Sequence, residues 1–241
     1  MSIEISVVIP ACNEAENVEP LACEIDAALA SRQYEMIFID DGSTDDTAAV
    51  LKVLKTRFPS LRVLSHSFRS GQSAAVASGV RAARGPWIAT LDGDGQNDPG
   101  DIPKLIAARD LPENRPVKLF MGNRSASRKD TAYRRLQSRI ANGVRSSLLG
   151  DGTPDTGCGI KLFLRDAFLE LPRFDHMHRF LPALFQRQGS RVISVPVSHR
   201  PRLRGTSKYG MLNRLWVGIV DIMGVMWLRR RFKSGLLVRE T

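Results

Sequence analysis

The sequence predicts an α/β fold: a mostly parallel, doubly wound sheet flanked by helices, with an amphipathic helix at the C-terminus. Three observations carry this. Short apolar, β-rich runs alternate with segments whose apolar residues recur at helical spacing. The runs are continuous rather than alternating, as expected of strands covered on both faces. Several of them lead straight into acidic, turn-forming segments.

Taken in order, residues 3–9 form the first strand and stop at Pro10. Residues 15–30 follow as a helix that puts Val18, Leu21, Ala22, Ile25 and Leu29 on one face. A short strand at 36–39 meets Asp40-Asp41-Gly42, and the next helix runs over 44–58 with Ser43 or Thr44 as its N-cap. A strand at 61–64, an alanine-rich helix at 73–83 and a strand at 87–91 continue the alternation. A short helix at 101–109 and a strand at 117–121 complete it. Residues 134–148 read as a helix with Leu136, Ile140, Val144 and Leu148 in i+4 register. With no repeat or low-complexity linker, residues 1–210 read as one domain and 211–241 as an appended helix and basic tail.

A chain of 241 residues can bury its own core. Cys12, Cys23 and Cys158 are an odd number without CxxC spacing, which argues against a disulfide framework or zinc site and fits a reducing compartment. The first residues read as a strand rather than a signal peptide. Charge divides unevenly: residues 1–113 carry −7 and residues 114–241 carry +17. Such a split suggests a cation-binding part and an anion-facing part. The basic half lacks interleaved aromatics and any recognisable nucleic-acid module, so a phosphate substrate or anionic lipid is expected in place of nucleic acid.

In doubly wound sheets, ligands bind beyond the carboxyl ends of the strands. That rule brings Pro10–Glu14, Asp40-Asp41 and Asp92–Gln96 to one crevice. Asp92-Gly93-Asp94, two carboxylates on a glycine turn, offer hard oxygen ligands suited to Mg²⁺ or Mn²⁺, with Gln96 adding an amide oxygen. A site with two acids takes its remaining ligands from a diphosphate. The plainer reading is an acidic turn that caps the following helix. The second acidic strand end, FIDDGSTDDT (38–47), weighs against it.

VVIPACNE (7–14), IDDGSTDDT (39–47), RSGQSAAVASGV (69–80) and LDGDGQNDP (91–99) resemble the successive motifs of family 2 glycosyltransferases with a GT-A fold. MGNR (121–124), YRRLQSRIAN (133–142), DTGCGIKLFLR (155–165), HRFLP (178–182) and RPRLRGTSKYG (200–210) are similar to the dolichol-phosphate mannose synthase-like branch, which includes bacterial polyprenyl-phosphate glycosyltransferases. The resemblance implies that Pro10, Cys12 and Glu14 line the nucleotide pocket and that Asp41 bonds the base. The family commonly has an aromatic residue where Cys12 stands. Asp92, Gly93, Asp94 and Gln96 would hold metal and diphosphate. Arg124, with Arg134 and Ser138 one helical turn apart, would grip the acceptor's phosphate; a solvated basic face is the alternative for that helix. Arg202 and Lys208 would close over the diphosphate and, with Asp94 and Arg124, act in catalysis; a loop resting on lipid headgroups is the alternative. His178-Arg179 resemble a motif near the sugar.

Many relatives that glycosylate hydroxyls carry an acidic pair where this chain has only Asp155 followed by small residues. A phosphate acceptor is already anionic and needs no general base. The expected activity is therefore metal-dependent hexosyl transfer from a UDP- or GDP-linked sugar to undecaprenyl or dolichyl phosphate, with the inversion at the anomeric centre that the resemblance implies. Three alternatives stand beside it: a saccharide- or protein-hydroxyl acceptor with Asp155 as base, a nucleotidyltransferase, and a non-enzymatic basic surface binder. The apolar run 215–228 contains Asp221 and falls short of the ~20 residues a spanning helix needs. With Trp216, Trp227 and Arg229–Arg231 it reads as an interfacial helix on the cytoplasmic face of the inner membrane, or else as a core or homo-oligomer helix.

Overall fold

The computed structural model describes residues 2–125, 143, 145–198, 200 and 211–232. Strands β1 (Ile5–Ala11), β2 (Tyr34–Asp40), β3 (Leu61–Ser65), β4 (Trp87–Thr90), β5 (Leu119–Asn123), β6 (Lys161–Leu164) and β7 (Val192–Pro196) form one sheet in the order β3-β2-β1-β4-β6-β5-β7. All pairings are parallel except those of β6, which runs antiparallel to both β4 and β5. The expected mostly parallel sheet is thus present, with one reversed strand in its middle. β6 went unread because its apolar run is short and opens on Lys161, and β7 because Val192–Pro196 is too brief to separate from loop.

Helices α1 (Ala15–Leu29), α2 (Thr47–Arg57), α3 (Gln72–Ala82) and α4 (Ile102–Asp110) connect the first five strands. Residues 145–149 are helical (α5) and belong to the expected helix over 134–148, most of which lies outside the described residues. α6 (Arg165–Leu169), α7 (Leu181–Arg187) and α8 (Met211–Arg231) complete the chain. Both sheet faces are covered. One core joins Ile5, Val7 and Ile9 of β1 to α1, α2 and α4; the other joins Val8, Ile37 and Ile39 to α3, α6, α7 and α8. This is the cause of the continuous apolar runs.

α2 begins three residues later than its sequence suggests, at Thr47. Ser43 and Thr44 do not cap it; they bond the β1–α1 loop. Asn13 N donates to Ser43 Oγ (2.9 Å) and Thr44 N donates to Asn13 Oδ1 (2.7 Å). Asn13 takes a left-handed conformation (φ 54°) to do so. The order β3-β2-β1 on one side and β4 on the other puts the switch in chain direction between β1 and β4, where a crevice opens at the carboxyl edge.

The opposite edge holds a buried charge with a purely structural office. Glu35 accepts from Ser6 Oγ (2.7 Å), Arg62 Nη1 (2.6 Å) and Arg84 N (2.6 Å). Burial acts to raise its pKa, but these donors together lower it. The group is therefore a paired anion that ties β1, β2, β3 and the α3–β4 turn together.

α3 lies close on the sheet because of Gly79. A Cβ there would sit 2.5 Å from Val8 Cγ1 and 2.7 Å from Ile39 Cδ1. Gly79→Ala should lower stability by about 1–3 kcal/mol through overpacking. In urea unfolding this appears as a reduced midpoint with an unchanged slope.

Candidate active site

The predicted strand-end residues meet at the β1/β4 switch. Leu91 N donates to Val8 O (3.3 Å), so the chain leaving β4 stays against β1. Gly93 then passes so near β1 that a Cβ would be 2.8 Å from Pro10 O. Asp41 N donates to Ala11 O (2.8 Å), which brings the end of β2 to the same place. The β3–α3 loop closes the ring. Ser70 N and Gly71 N each donate to Asp41 at 2.8 Å, and the next residue, Gln72, donates through Nε2 to Asp92 Oδ1 at 2.8 Å. A series of close contacts thus brings Pro10, Asp41, Asp92 and Gly93 together.

Asp41 is 4% exposed. Besides the two backbone donors, its Oδ1 meets His66 Nδ1 at 2.7 Å, and His66 Nε2 meets Ser78 Oγ at 3.0 Å. The carboxylate therefore anchors the β3–α3 loop as well as facing the crevice. Glu14 sits at the start of α1, where its Oε2 accepts from Asn17 Nδ2 (2.7 Å) and its N donates to Thr47 Oγ1 (2.9 Å). Cys12, half-buried, follows β1 directly.

Asp92 and Asp94 share one tight turn. Asp92 N donates to the buried Asn97 Oδ1 (3.2 Å), Gln96 N donates to Asp94 Oδ1 (3.1 Å), and Gly95 between them has φ 71°, a conformation glycine takes at no cost. Burial first, and the negative charge of Asp94 second, push the Asp92 pKa up; Lys161 and Arg124 oppose this. Two carboxylates forced together in this way fit a hard divalent cation. Among the described residues no cluster of three or more acidic, histidine or cysteine side chains could hold one. Asp92 and Asp94 would thus supply part of a coordination sphere whose remainder is other oxygen, as a diphosphate provides.

Beneath Asp92 lies a cavity lined by Pro10, Gln72, Thr90, Gly159, Lys161 and His178, among others. Lys161 opens β6, and its buried ammonium donates to Cys158 O. Burial lowers its pKa, with Cys158 and Asp92 acting against that. His178 is pushed down to about 3, by burial and then by the charges of Lys161, Arg179 and His176, so its imidazole is neutral. Ser73 Oγ accepts from His178 N (3.3 Å) and lies 2.7 Å from Nδ1.

Arg124 follows β5 and is 7% exposed. Its Nε and Nη2 donate to the two oxygens of Asp155 at 2.8 and 2.9 Å, and its N also donates to Asp155 at 3.1 Å. Burial works against the guanidinium's charge, but the hydrogen bond and charge of Asp155 raise its pKa overall. The remaining predicted residues, Arg134, Ser138, Arg202 and Lys208, lie outside the described residues.

Sequence reasoning missed Gln72, Asn97, Gly159 and Lys161. Lys161 carried a signal, a lone lysine at the head of an apolar strand. Gln72 carried none beyond its place in RSGQSAAVASGV, because its partner is twenty residues away. Arg200 was also missed. Its N donates to Gln96 O (3.2 Å), and its guanidinium bridges Glu24 of α1 (2.7 Å) and Asp98 (2.8 Å). It clamps the acidic turn onto α1.

A doubly wound sheet with acids converging at its switch point defines an α/β class with a strand-end site, and comparison with known proteins narrows that class. Residues 6–171 match the family model for glycosyl transferase family 2. Dodecaprenyl-phosphate galacturonate synthase of Rhizobium johnstonii is 36% identical over 235 residues, spanning 95% of this chain and 68% of that protein. Undecaprenyl-phosphate 4-deoxy-4-formamido-L-arabinose transferase of Edwardsiella ictaluri is 32% identical over 212 residues, spanning 86% of this chain and 63% of the relative. The chain thus spans about two thirds of the length of these relatives. Glucosyl-3-phosphoglycerate synthase from Mycobacterium tuberculosis, solved with Mn²⁺ and UDP, superposes with a TM-score of 0.71 at 21% identity, covering 94% of this chain and 80% of that one. That likeness is one of fold, and the fold is GT-A. The chain belongs to glycosyl transferase family 2, as the motif resemblance implies.

Gly159 is the residue that lets Asp92 sit where it does. A Cβ there would fall 2.3 Å from both Asp92 Oδ2 and Asn97 Oδ1. Gly159→Ala should leave the circular dichroism spectrum intact. It should weaken Mn²⁺ binding, titrated in the presence of UDP, by about ten- to a hundredfold, the usual effect of displacing a ligand's support.

Proposed function

We propose that this chain transfers a sugar from a nucleoside-diphosphate sugar to a polyprenyl phosphate, with inversion at the anomeric carbon. One observation carries the choice of acceptor. Both oxygens of Asp155, the acid standing where hydroxyl-glycosylating relatives keep theirs, are engaged by Arg124. A carboxylate held ionised by a bidentate arginine is a weak proton acceptor. His178, with its pKa near 3, is a weak one too. A hydroxyl acceptor needs a base within reach; a phosphate monoester is already an anion. The relatives named for polyprenyl-phosphate transfer support the same reading. Their sugars differ, one a hexuronic acid and the other a formamido pentose, so family membership alone leaves the sugar open.

In this reading Pro10, Cys12, Glu14 and Asp41 bound the nucleotide. Asp92 and Asp94, aided by Gln96, hold the divalent ion, Mn²⁺ or Mg²⁺, which supplies charge stabilisation to the departing diphosphate. Asn97, Gln72 and Arg200 keep those carboxylates in place. Arg124, fixed by Asp155, presents a permanent positive charge at the crevice, and Arg134 and Ser138 join it around the acceptor's phosphate. Arg202 and Lys208 neutralise the leaving group as its charge develops.

α8 supplies the surface on which a lipid substrate is met. No helix among the described residues is long and apolar enough to cross a membrane. Val225 of α8 is buried in the second core with Ile222, Met226 and Leu228 packed beside it, and Arg187 Nε donates to Leu228 O (3.1 Å). The other face leaves Ile219, Val220, Met223 and Trp227 exposed at helical spacing. That stripe runs into Arg229–Arg231. An apolar stripe bordered by arginines suits the interface of an anionic bilayer.

Two outcomes follow. Asp94→Asn should fold normally and lose at least about a hundredfold in transfer of radiolabelled sugar into the organic-extractable phase; full activity there would exclude the reading. Met223→Glu with Trp227→Glu should keep the melting temperature and fail to float with anionic vesicles, since each side chain forfeits about 1.5–3 kcal/mol of burial.

A further inference from the structure

Phe68 is 71% exposed, the most exposed of the large apolar side chains among the described residues. Its place is fixed. The β3–α3 loop that carries it is pinned at 66, 70 and 71 to the buried Asp41, through His66 Nδ1 (2.7 Å), Ser70 N (2.8 Å) and Gly71 N (2.8 Å). The loop's middle lies on Gly42. A Cβ at Gly42 would be 2.5 Å from Arg69 N and 2.7 Å from the carbonyl carbon of Phe68, and Gly42 has φ 65°, so only glycine fits beneath it. The backbone at Phe68 is therefore held close to Asp41 and Gly42.

Its neighbours in the loop are polar: Ser67 and Arg69 are exposed and Ser70 is half-buried. A single aromatic face on a rigid loop matches a single planar ligand. Cys12, which follows the Ala11 whose carbonyl accepts from Asp41 N, is a small side chain where the family commonly has an aromatic.

We propose that Phe68 is the stacking platform for the donor's nucleobase, replacing an aromatic at position 12. The inference rests on the nucleotide-sugar reading of this crevice and adds the residue that binds the base. Stacking is tolerant of base identity, so Phe68 contributes to UDP and GDP alike, and hydrogen bonding near Asp41 is left to distinguish them.

The test uses the full chain with Mn²⁺ and calorimetric titration of three probes: UDP, GDP and inorganic pyrophosphate. Phe68→Ala should weaken whichever nucleoside diphosphate the wild type binds by about tenfold and leave pyrophosphate unchanged. Phe68→Trp should restore the affinity, with quenching of indole fluorescence on nucleotide addition that the wild type lacks. Equal nucleotide affinity in wild type and Phe68→Ala overturns the inference while leaving the donor reading intact. An equal loss for pyrophosphate overturns it too, since that marks a loop that merely lost its shape. A wild type that binds neither nucleotide removes the donor reading itself, and the platform with it.

Discussion

The carboxyl edge of this sheet depends on Asp92 being held against its own electrostatic preference. Burial and the charge of Asp94 both favour its protonated form. The fold nonetheless keeps it in place with Gln72, with Asn97 and with a glycine at 159 that leaves room for nothing else. Proteins spend stability in this way where a charge is to be shared with something that arrives later. The contrast with Glu35 at the other end of the strands is instructive. Glu35 is also buried but is matched by an arginine and two further donors, and its pKa falls. One acid is compensated within the protein; in the proposed reading the other is compensated by a cation.

From that constraint the rest of the site follows. Asp41 and Asp92 are joined across two adjacent residues, Gly71 and Gln72, which ties together the two acids proposed for the nucleotide and the metal. Arg124 and Asp155 pair a short way off, which fixes the guanidinium in place and engages both oxygens of the acid. Arg200 ties the acidic turn to α1 and marks where the segment bearing Arg202 and Lys208 begins. The uneven charge of the chain then has a spatial meaning in the proposed reading, with acids gathered at the strand ends assigned to a metal and diphosphate and arginines concentrated at the end of α8.

Much of this was legible before any coordinates. The period is unmistakable in β1, β2 and α1, and the rule that ligands lie beyond strand carboxyl ends placed Pro10, Asp41 and Asp92 together. What was not legible is pairing across distance. Ser43 and Thr44 look like an N-cap, yet they serve Asn13 in another loop. Asp155 reads as a free acid until Arg124, 31 residues earlier, is seen to occupy it. β6 is hidden because its first residue is a lysine, and a buried lysine in a strand makes sense only once the cavity beside Asp92 is known. Local pattern yields elements; the use of a polar side chain is decided by a partner the local pattern does not contain.

The most direct measurement is the stoichiometry of Mn²⁺ on the full chain, followed by electron paramagnetic resonance with and without UDP or GDP. The account predicts one Mn²⁺ per chain that is bound tightly only when a nucleoside diphosphate is present, and its loss in Asp92→Asn. A wild type that takes up no Mn²⁺ with either nucleotide, or an Asp92→Asn protein that binds it equally well, would contradict the claim that these converging carboxylates exist to hold a metal and a diphosphate.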